Sequence, residues 1–184
     1  MNLILVIGTT GKGKTPWVSS KMRNGYKPNP KNANKSIQTV SSKSLRQYVF
    51  DINNEYLFPL DNKILPQMRH INADVRYFMA TCKTLRNTNI IFEDATGFLR
   101  GKQTASFIQL VQGKIHTGNN YIILFHSINR VPPELMELSN LIVLFPTVDN
   151  VEVVDKKFKN PTLNAAYLEL RKNPSKKFLT IKPV

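Results

Sequence analysis

The feature that most constrains how this chain folds is the octapeptide at residues 8–15, Gly-Thr-Thr-Gly-Lys-Gly-Lys-Thr. It satisfies the Walker A pattern G-x-x-x-x-G-K-[ST] at every position. The apolar run Leu3–Ile7 precedes it and predicts a buried strand, and a short helical pattern through Trp17 and Val18 follows it. A strand, a glycine-rich turn and a helix in this order indicate a P-loop, whose backbone N–H groups and helix N-terminus point at phosphate oxygens.

Each residue type in this loop has a chemical reason. Lys14 places a positive charge on the β- and γ-phosphates of a nucleotide, and the Thr15 hydroxyl is a ligand for Mg²⁺. Pro16 has no backbone N–H to offer the α-phosphate, so we expect weaker anchoring on the base side of the site. The residues expected to contact the nucleotide are Gly8, Thr9, Thr10, Gly11, Lys12, Gly13, Lys14, Thr15 and Pro16.

Two acidic residues follow a second predicted strand, Asn89–Phe92. A P-loop enzyme needs a carboxylate beside its magnesium ion and a group that polarises the attacking water. A buried strand that ends in Glu93 and Asp94 has this Walker B form. We assign Glu93, together with Thr15, to binding Mg²⁺, and Asp94 to polarising the attacking water. The roles of the two acids could be exchanged.

Histidine ends the next predicted strand, Tyr121–Phe125. His126 is a candidate sensor of the γ-phosphate, and a structural histidine at a strand end is the alternative. His70 and His116 have no partner at a metal-ligand spacing, and Cys82 lies on the apolar face of a predicted helix. The sequence therefore does not support a zinc site.

The order of the remaining patterns predicts the fold class. Helical patterns at 72–86, 104–116, 132–138 and 162–171 alternate with short apolar runs that include 141–145 and 178–181. This alternation predicts an α/β fold, a three-layer α/β/α sandwich around a mostly parallel sheet, with ligand at the carboxyl ends of the strands. We expect residues 1–146 to form the nucleotide-binding core and residues 147–184 a basic helix–strand extension packed on it.

Charge is the most informative bulk property. The chain has 26 Lys and Arg against 12 Asp and Glu, a net charge of +14, which favours a polyanionic partner. Basic residues cluster at 27–43 and 156–182; nucleic acid is the favoured partner, and a solvated surface or an anionic membrane surface are the alternatives.

No apolar run reaches the roughly 18 residues of a membrane span, and the single cysteine fits a reducing compartment. We expect a cytoplasmic protein without an integral membrane segment.

Four segments together resemble the HerA/FtsK-type branch of P-loop ATPases, including the Zot-like assembly ATPases of filamentous phages. They are the P-loop, the "apolar-Asp-x-x-x-Glu-Tyr" segment at 48–56, the Walker B strand at 90–95, and residues 122–145 with their "x-x-x-P" segment. The resemblance covers about residues 1–146. It implies a RecA-like core, ATP as the nucleotide, and oligomeric, often hexameric, action on DNA. It also implies an arginine finger from a neighbouring subunit, for which Arg100 is the first candidate and Arg130 the second.

The chain departs from this family at two site positions. Family members commonly have Asp and then Glu at the Walker B end, and Gln at the end of the fourth strand. Here Glu93 precedes Asp94, and His126 stands in the place of Gln. Both departures put the rate of hydrolysis in question but not nucleotide binding.

Three functions follow from the sequence. The leading one is an ATPase that hydrolyses Mg-ATP and couples this to DNA translocation, packaging, or phage or mobile-element assembly. The second is a small-molecule kinase for a nucleotide or nucleoside, which needs an arginine-rich lid; the stretch from Arg69 to Arg86 is the candidate, and it has the pattern of a core helix. The third is a nucleotide-gated DNA-binding protein with little hydrolysis. No Asn/Thr-Lys-x-Asp motif is present to read guanine, and the resemblance favours ATP.

Overall fold

A computed structural model of the chain describes residues 2–24, 46–51, 67–70, 74–99 and 101–182. Its strands are β1 (Leu3–Ile7), β2 (Arg46–Phe50), β3 (Gln67–His70), β4 (Thr88–Phe92), β5 (Asn120–Phe125), β6 (Leu141–Leu144) and β7 (Leu179–Ile181). Its helices are α1 (Lys14–Asn24), α2 (Val75–Thr84), α3 (Ala95–Phe98), α4 (Lys102–Gln112), α5 (Lys114–Thr117), α6 (Pro133–Leu138), α7 (Val151–Phe158) and α8 (Pro161–Lys172), and Ile128–Arg130 is a 3₁₀ turn.

The strands form one sheet in the order β3-β2-β4-β5-β1-β6-β7. All neighbouring pairs are parallel except β6 and β7, which are antiparallel. β5 lies between the P-loop strand β1 and the acid-bearing strand β4. Since β1, β4, β5 and β6 are parallel, their carboxyl ends meet at one edge of the sheet, where the predicted site residues follow them.

Both faces of the sheet are apolar, which is why the central strands have continuous rather than alternating hydrophobic sequences. β1 is buried along its whole length, and so are β4, β5 and β6. One face packs against buried side chains from helices α2, α4, α6, α7 and α8, and the other packs against α1 through Val18 and Trp17. The predicted three-layer α/β fold with a mostly parallel sheet is confirmed.

Helix α2 is shorter than predicted. It begins after Asp74, whose side chain accepts a hydrogen bond from the Arg76 N–H, and it buries Phe78, Met79 and Cys82. The expectation that Arg69 belongs to the same core helix is wrong, because Arg69 lies on β3. Asp74 is a strong N-cap, and its local hydrogen bond fixes where the helix starts.

The predicted helix at 104–116 is two helices. α4 ends at Gln112, Gly113 separates it from α5, and Gly118, with φ 71°, caps the end of α5. Glycine has the weakest helix propensity after proline, so a break at Gly113 costs little. Helix α7 was not predicted; it begins after Asn150, whose side chain accepts from the Glu152 N–H. None of the described helices is long and apolar enough to cross a membrane.

Candidate nucleotide-binding site

The P-loop backbone is held between the ends of β5 and β6. The Gly8 N–H donates to the Phe125 carbonyl at 3.0 Å, and the Thr9 N–H donates to the Pro146 carbonyl at 3.1 Å. A Cβ on Gly8 would lie 2.5 Å from the Phe145 Cβ, so only glycine fits where β1 ends. Gly11 and Gly13 have φ of 77° and 93°, the left-handed region that glycine adopts without strain. The loop therefore has the conformation that its glycine spacing predicts.

Helix α1 directs its N-terminus into this loop. Its first i→i−4 hydrogen bond runs from the Trp17 N–H to the Gly13 carbonyl at 3.0 Å. The N–H groups of Lys14 and Thr15 therefore belong to the first turn, where helical amides point outward and the helix dipole favours anions. Pro16 is exposed in this turn and supplies no N–H. The loop provides an anion site with one donor fewer than usual.

Residues from the P-loop and from β4 meet at the sheet edge. The Thr15 Oγ1 hydroxyl donates to Glu93 Oε1 at 3.0 Å. Glu93 is 2% exposed, and its N–H donates to the Phe50 carbonyl, which fixes it at the end of β4. A hydroxyl oxygen beside a buried carboxylate suits a hard cation such as Mg²⁺, which takes oxygen ligands and keeps several waters. This pair fits the predicted metal side of the site.

His126 connects the P-loop to the second acid. Its Nδ1 lies 3.2 Å from the Lys14 Nζ and 3.2 Å from the Thr10 Oγ1, and its Nε2 lies 3.2 Å from the Asp94 Oδ1. The Lys14 ammonium can only donate, so the His126 Nδ1 accepts from it. The Lys14 Nζ also donates to the Thr9 carbonyl at 3.1 Å. The ring therefore touches both the P-loop and the carboxylate that follows β4.

Backbone geometry places these two side chains. Asp94 has φ 47° and ψ 54°, the left-handed region, at the start of α3. The His126 N–H donates to the Thr96 Oγ1 of the same short helix at 3.0 Å. A non-glycine residue in this region costs about 1–3 kcal/mol and is typical of functional sites. The turn after β4 is therefore tied to the end of β5.

A buried carboxylate beyond the predicted set holds the segment after His126. Asp149, 8% exposed, accepts from the Ser127 and Thr147 hydroxyls, from the Ile128 N–H at 2.9 Å and from the Asn129 N–H at 3.3 Å. Nothing in the sequence indicates this role, because the donors from Ser127, Ile128 and Asn129 lie 20 to 22 residues upstream, in the loop after β5. It joins the loop after β5 to the segment after β6.

Of the two arginine-finger candidates, the structure describes only one. Arg100 lies outside the described residues. Arg130 is exposed in the 3₁₀ turn after β5. The neighbouring Lys157 donates to the carbonyls of Asn129 and Val131, and burial, with a smaller contribution from Arg130, lowers the pKa of Lys157. Across the described ranges, no three His, Cys, Asp or Glu side chains group as they would around a metal ion.

The fold and the glycine loop at this edge of the sheet have the arrangement of a P-loop nucleotide-binding fold of the three-layer α/β/α type. The sequence matches no protein-family model and no curated protein. Among solved structures, the chain is similar to the genome-packaging NTPase B204 of Sulfolobus turreted icosahedral virus 2 in complex with sulfate. The TM-score is 0.64 at 15% identity, covering 100% of this chain and 96% of that one.

Two further structures extend the comparison. B204, the DNA-packaging ATPase of Sulfolobus turreted icosahedral virus, has a TM-score of 0.61 at 14% identity, covering 100% of this chain and 98% of that one. The N-terminal domain of zonular occludens toxin from Neisseria meningitidis has a TM-score of 0.51 at 18% identity, covering 77% and 75%. At these identities the likeness is one of fold, and it confirms the resemblance to P-loop ATPases of the Zot/HerA-like type at that level.

Proposed function

We propose that this chain is an ATPase that binds and hydrolyses Mg-ATP and couples hydrolysis to DNA translocation, packaging, or phage or mobile-element assembly. The observation that carries the proposal is the contact of the Thr15 hydroxyl with the buried Glu93 carboxylate. The two residues come from distant parts of the chain, and P-loop chemistry requires both of them beside the metal ion. A glycine turn with incidental charge would not bring them together.

Binding begins with the loop itself. The amides of residues 9–15 would surround the β- and γ-phosphates, and Lys14 would leave His126 and Thr9 to pair with phosphate oxygens. Thr15 and Glu93 would hold Mg²⁺, which when bound neutralises charge on the phosphates. Lys14 is 4% exposed, so its charge acts in a poorly screened environment.

Asp94 and His126 supply the groups for the attacking water. The Asp94 carboxylate would accept a hydrogen bond, and then a proton, from a water in line with the γ-phosphate, while the β–γ bridging bond breaks to give ADP and phosphate. The His126 Nε2 lies 3.2 Å from the Oδ1 of that carboxylate. Because His126 also touches Lys14 and Thr10, it senses whether the loop contains a γ-phosphate.

The proposed coupling to DNA has support from charge and from fold. The C-terminal segment of the described chain is strongly basic, and its exposed residues include Lys156, Lys159, Arg171, Lys172, Lys176, Lys177 and Lys182. Such a surface suits a phosphate backbone. The similar protein B204 of Sulfolobus turreted icosahedral virus is a DNA-packaging ATPase. Structures of the genome-packaging NTPase B204 of virus 2 contain AMP, ATP-γS and AMPPCP. In an oligomer, Arg130 or Arg100 would reach a neighbour's nucleotide.

The test is steady-state ATP hydrolysis with Mg²⁺, with and without single- and double-stranded DNA, beside Lys14→Ala and the isosteric Glu93→Gln. We expect DNA to stimulate turnover and both variants to lose it by on the order of 100-fold or more. Equal turnover in wild type and Lys14→Ala would overturn the assignment. Transfer of phosphate to an added nucleoside, without hydrolysis, would indicate the kinase instead.

A nucleotide-gated DNA-binding protein with little hydrolysis is the second candidate. The contacts of His126 favour this candidate, because the ring touches both Lys14 and Asp94 and so occupies two groups that hydrolysis needs. Tight ATP binding with no turnover, even with DNA present, would support the switch. His126→Gln, which restores the residue common in the resembled family, would then be expected to raise turnover.

A further inference from the structure

The sheet order fixes which way a nucleotide points. The Thr15–Glu93 pair and the Asp94–His126 pair both lie on the β5–β4 side of the P-loop strand β1. The metal and the γ-phosphate belong at these pairs. The α-phosphate, ribose and base must therefore extend to the other side of β1, toward β6 and β7.

Three aromatic rings meet on that other side. Phe145 follows β6, and its ring edge lies 3.8 Å from where a Cβ on Gly13 would be, so it borders the phosphate loop. Phe178 precedes β7, and because β7 is antiparallel to β6, this residue lies at the same edge. The Phe178 ring packs on Phe145 with centroids 5.4 Å apart, and against Trp17 of α1 at 6.2 Å in an edge-on arrangement.

This cluster leaves an aromatic surface open. Phe178 is 38% exposed, although Phe145 beneath it is 2% exposed. Trp17 directly follows Pro16, the residue that removes an amide donor from the α-phosphate side. The base side of the nucleotide therefore needs another source of binding energy. A partly exposed ring at this position can provide it by stacking on the base.

We propose that Phe178, supported by Phe145 and Trp17, is the platform on which the purine base of the nucleotide stacks. The proposal rests on the proposed nucleotide binding and assigns the base subsite within it. An aromatic face pairs with the π-face of a base and does not read its hydrogen-bonding edge, so the platform accepts adenine and guanine alike.

The experiment compares two ligands that share phosphates and differ in the base. Binding of Mg-ATP and of Mg-tripolyphosphate to the full chain is measured by calorimetry for wild type, Phe178→Leu and Phe178→Tyr. We expect Phe178→Leu to weaken ATP binding by about 5- to 150-fold, the range for loss of one base–aromatic stack. Tripolyphosphate should bind all three proteins equally, and Phe178→Tyr should retain ATP affinity because it keeps the ring.

The outcomes separate the two proposals. If Phe178→Leu leaves ATP affinity unchanged, or weakens the binding of ATP and of tripolyphosphate equally, the assignment of Phe178 as the base platform is wrong while the P-loop assignment stands. If wild type binds neither ligand, both proposals fall. Trp17 is the chain's single tryptophan, and we expect ATP at saturation to quench its emission more than tripolyphosphate does. Equal quenching by the two ligands would contradict a base beside Trp17.

Discussion

Replacing Asp149 by asparagine is expected to destabilise the fold by about 2–5 kcal/mol, worked from its hydrogen bonds. The asparagine would place its amide nitrogen at the Oδ1 position, because the Ser127 hydroxyl there can rotate and accept. The Asn129 N–H, 3.3 Å from Oδ1, would then face a donor. An unsatisfied buried donor costs about 1–3 kcal/mol, and weakening the charge-assisted bonds on Oδ2 costs about 1–2 kcal/mol more.

The assay is urea and thermal unfolding beside a matched control. Asp155→Asn makes the same chemical change at an exposed carboxylate on α7, where we expect less than about 0.5 kcal/mol. A loss of 2–5 kcal/mol corresponds to a fall in Tm of roughly 4–20 °C for a chain of this size. If the two variants unfold at the same urea concentration, the carboxylate does not hold the loop after β5, and the reasoning is refuted.

Three other predictions follow from the site and the core. Gly8→Ala should cost about 1–3 kcal/mol or more in urea unfolding, because its Cβ would meet the Phe145 Cβ at 2.5 Å; a neutral effect would contradict this contact. Pro16→Ala should tighten nucleotide binding by roughly 10- to 150-fold, the value of one hydrogen bond to a charged group, and titration showing no gain would count against a missing donor. Burial raises the pKa of the Cys82 thiol, so a thiol reagent should label it only after unfolding; rapid labelling of the native protein would refute its burial.

The sequence predicted the P-loop because that motif is local. Its glycines, lysine and threonine are consecutive, and their roles depend on backbone geometry that eight residues determine. The strand before it and the helix after it follow from apolar patterning over a few residues more. The position of Glu93 at the sheet edge was likewise predictable, since the residue that follows a buried parallel strand lies at the carboxyl edge of the sheet.

The unpredicted features depend on contacts between distant segments. Asp149 gains its role only when β5 and β6 end at the same edge of the sheet, on either side of β1, and no spacing in the sequence shows this. Phe178 meets Trp17 only because β7 returns antiparallel along β6. Helix α7 was missed for a different reason: Val-Glu-Val at its start also fits the alternation of a strand, and the Asn150 cap decides between the two.

The central position of β1 has a consequence for how the chain is made. β1 leaves the ribosome before the other described strands, yet Leu3 pairs with Tyr121 and Ile4 pairs with Leu141. At about 5–20 residues per second, the strand waits roughly 7–30 s for its second neighbour. During that interval an apolar segment has no partner in the sheet, which makes it a binding site for a chaperone. Nascent chains that stop before β6 should therefore fail to bind nucleotide even though they contain the entire P-loop.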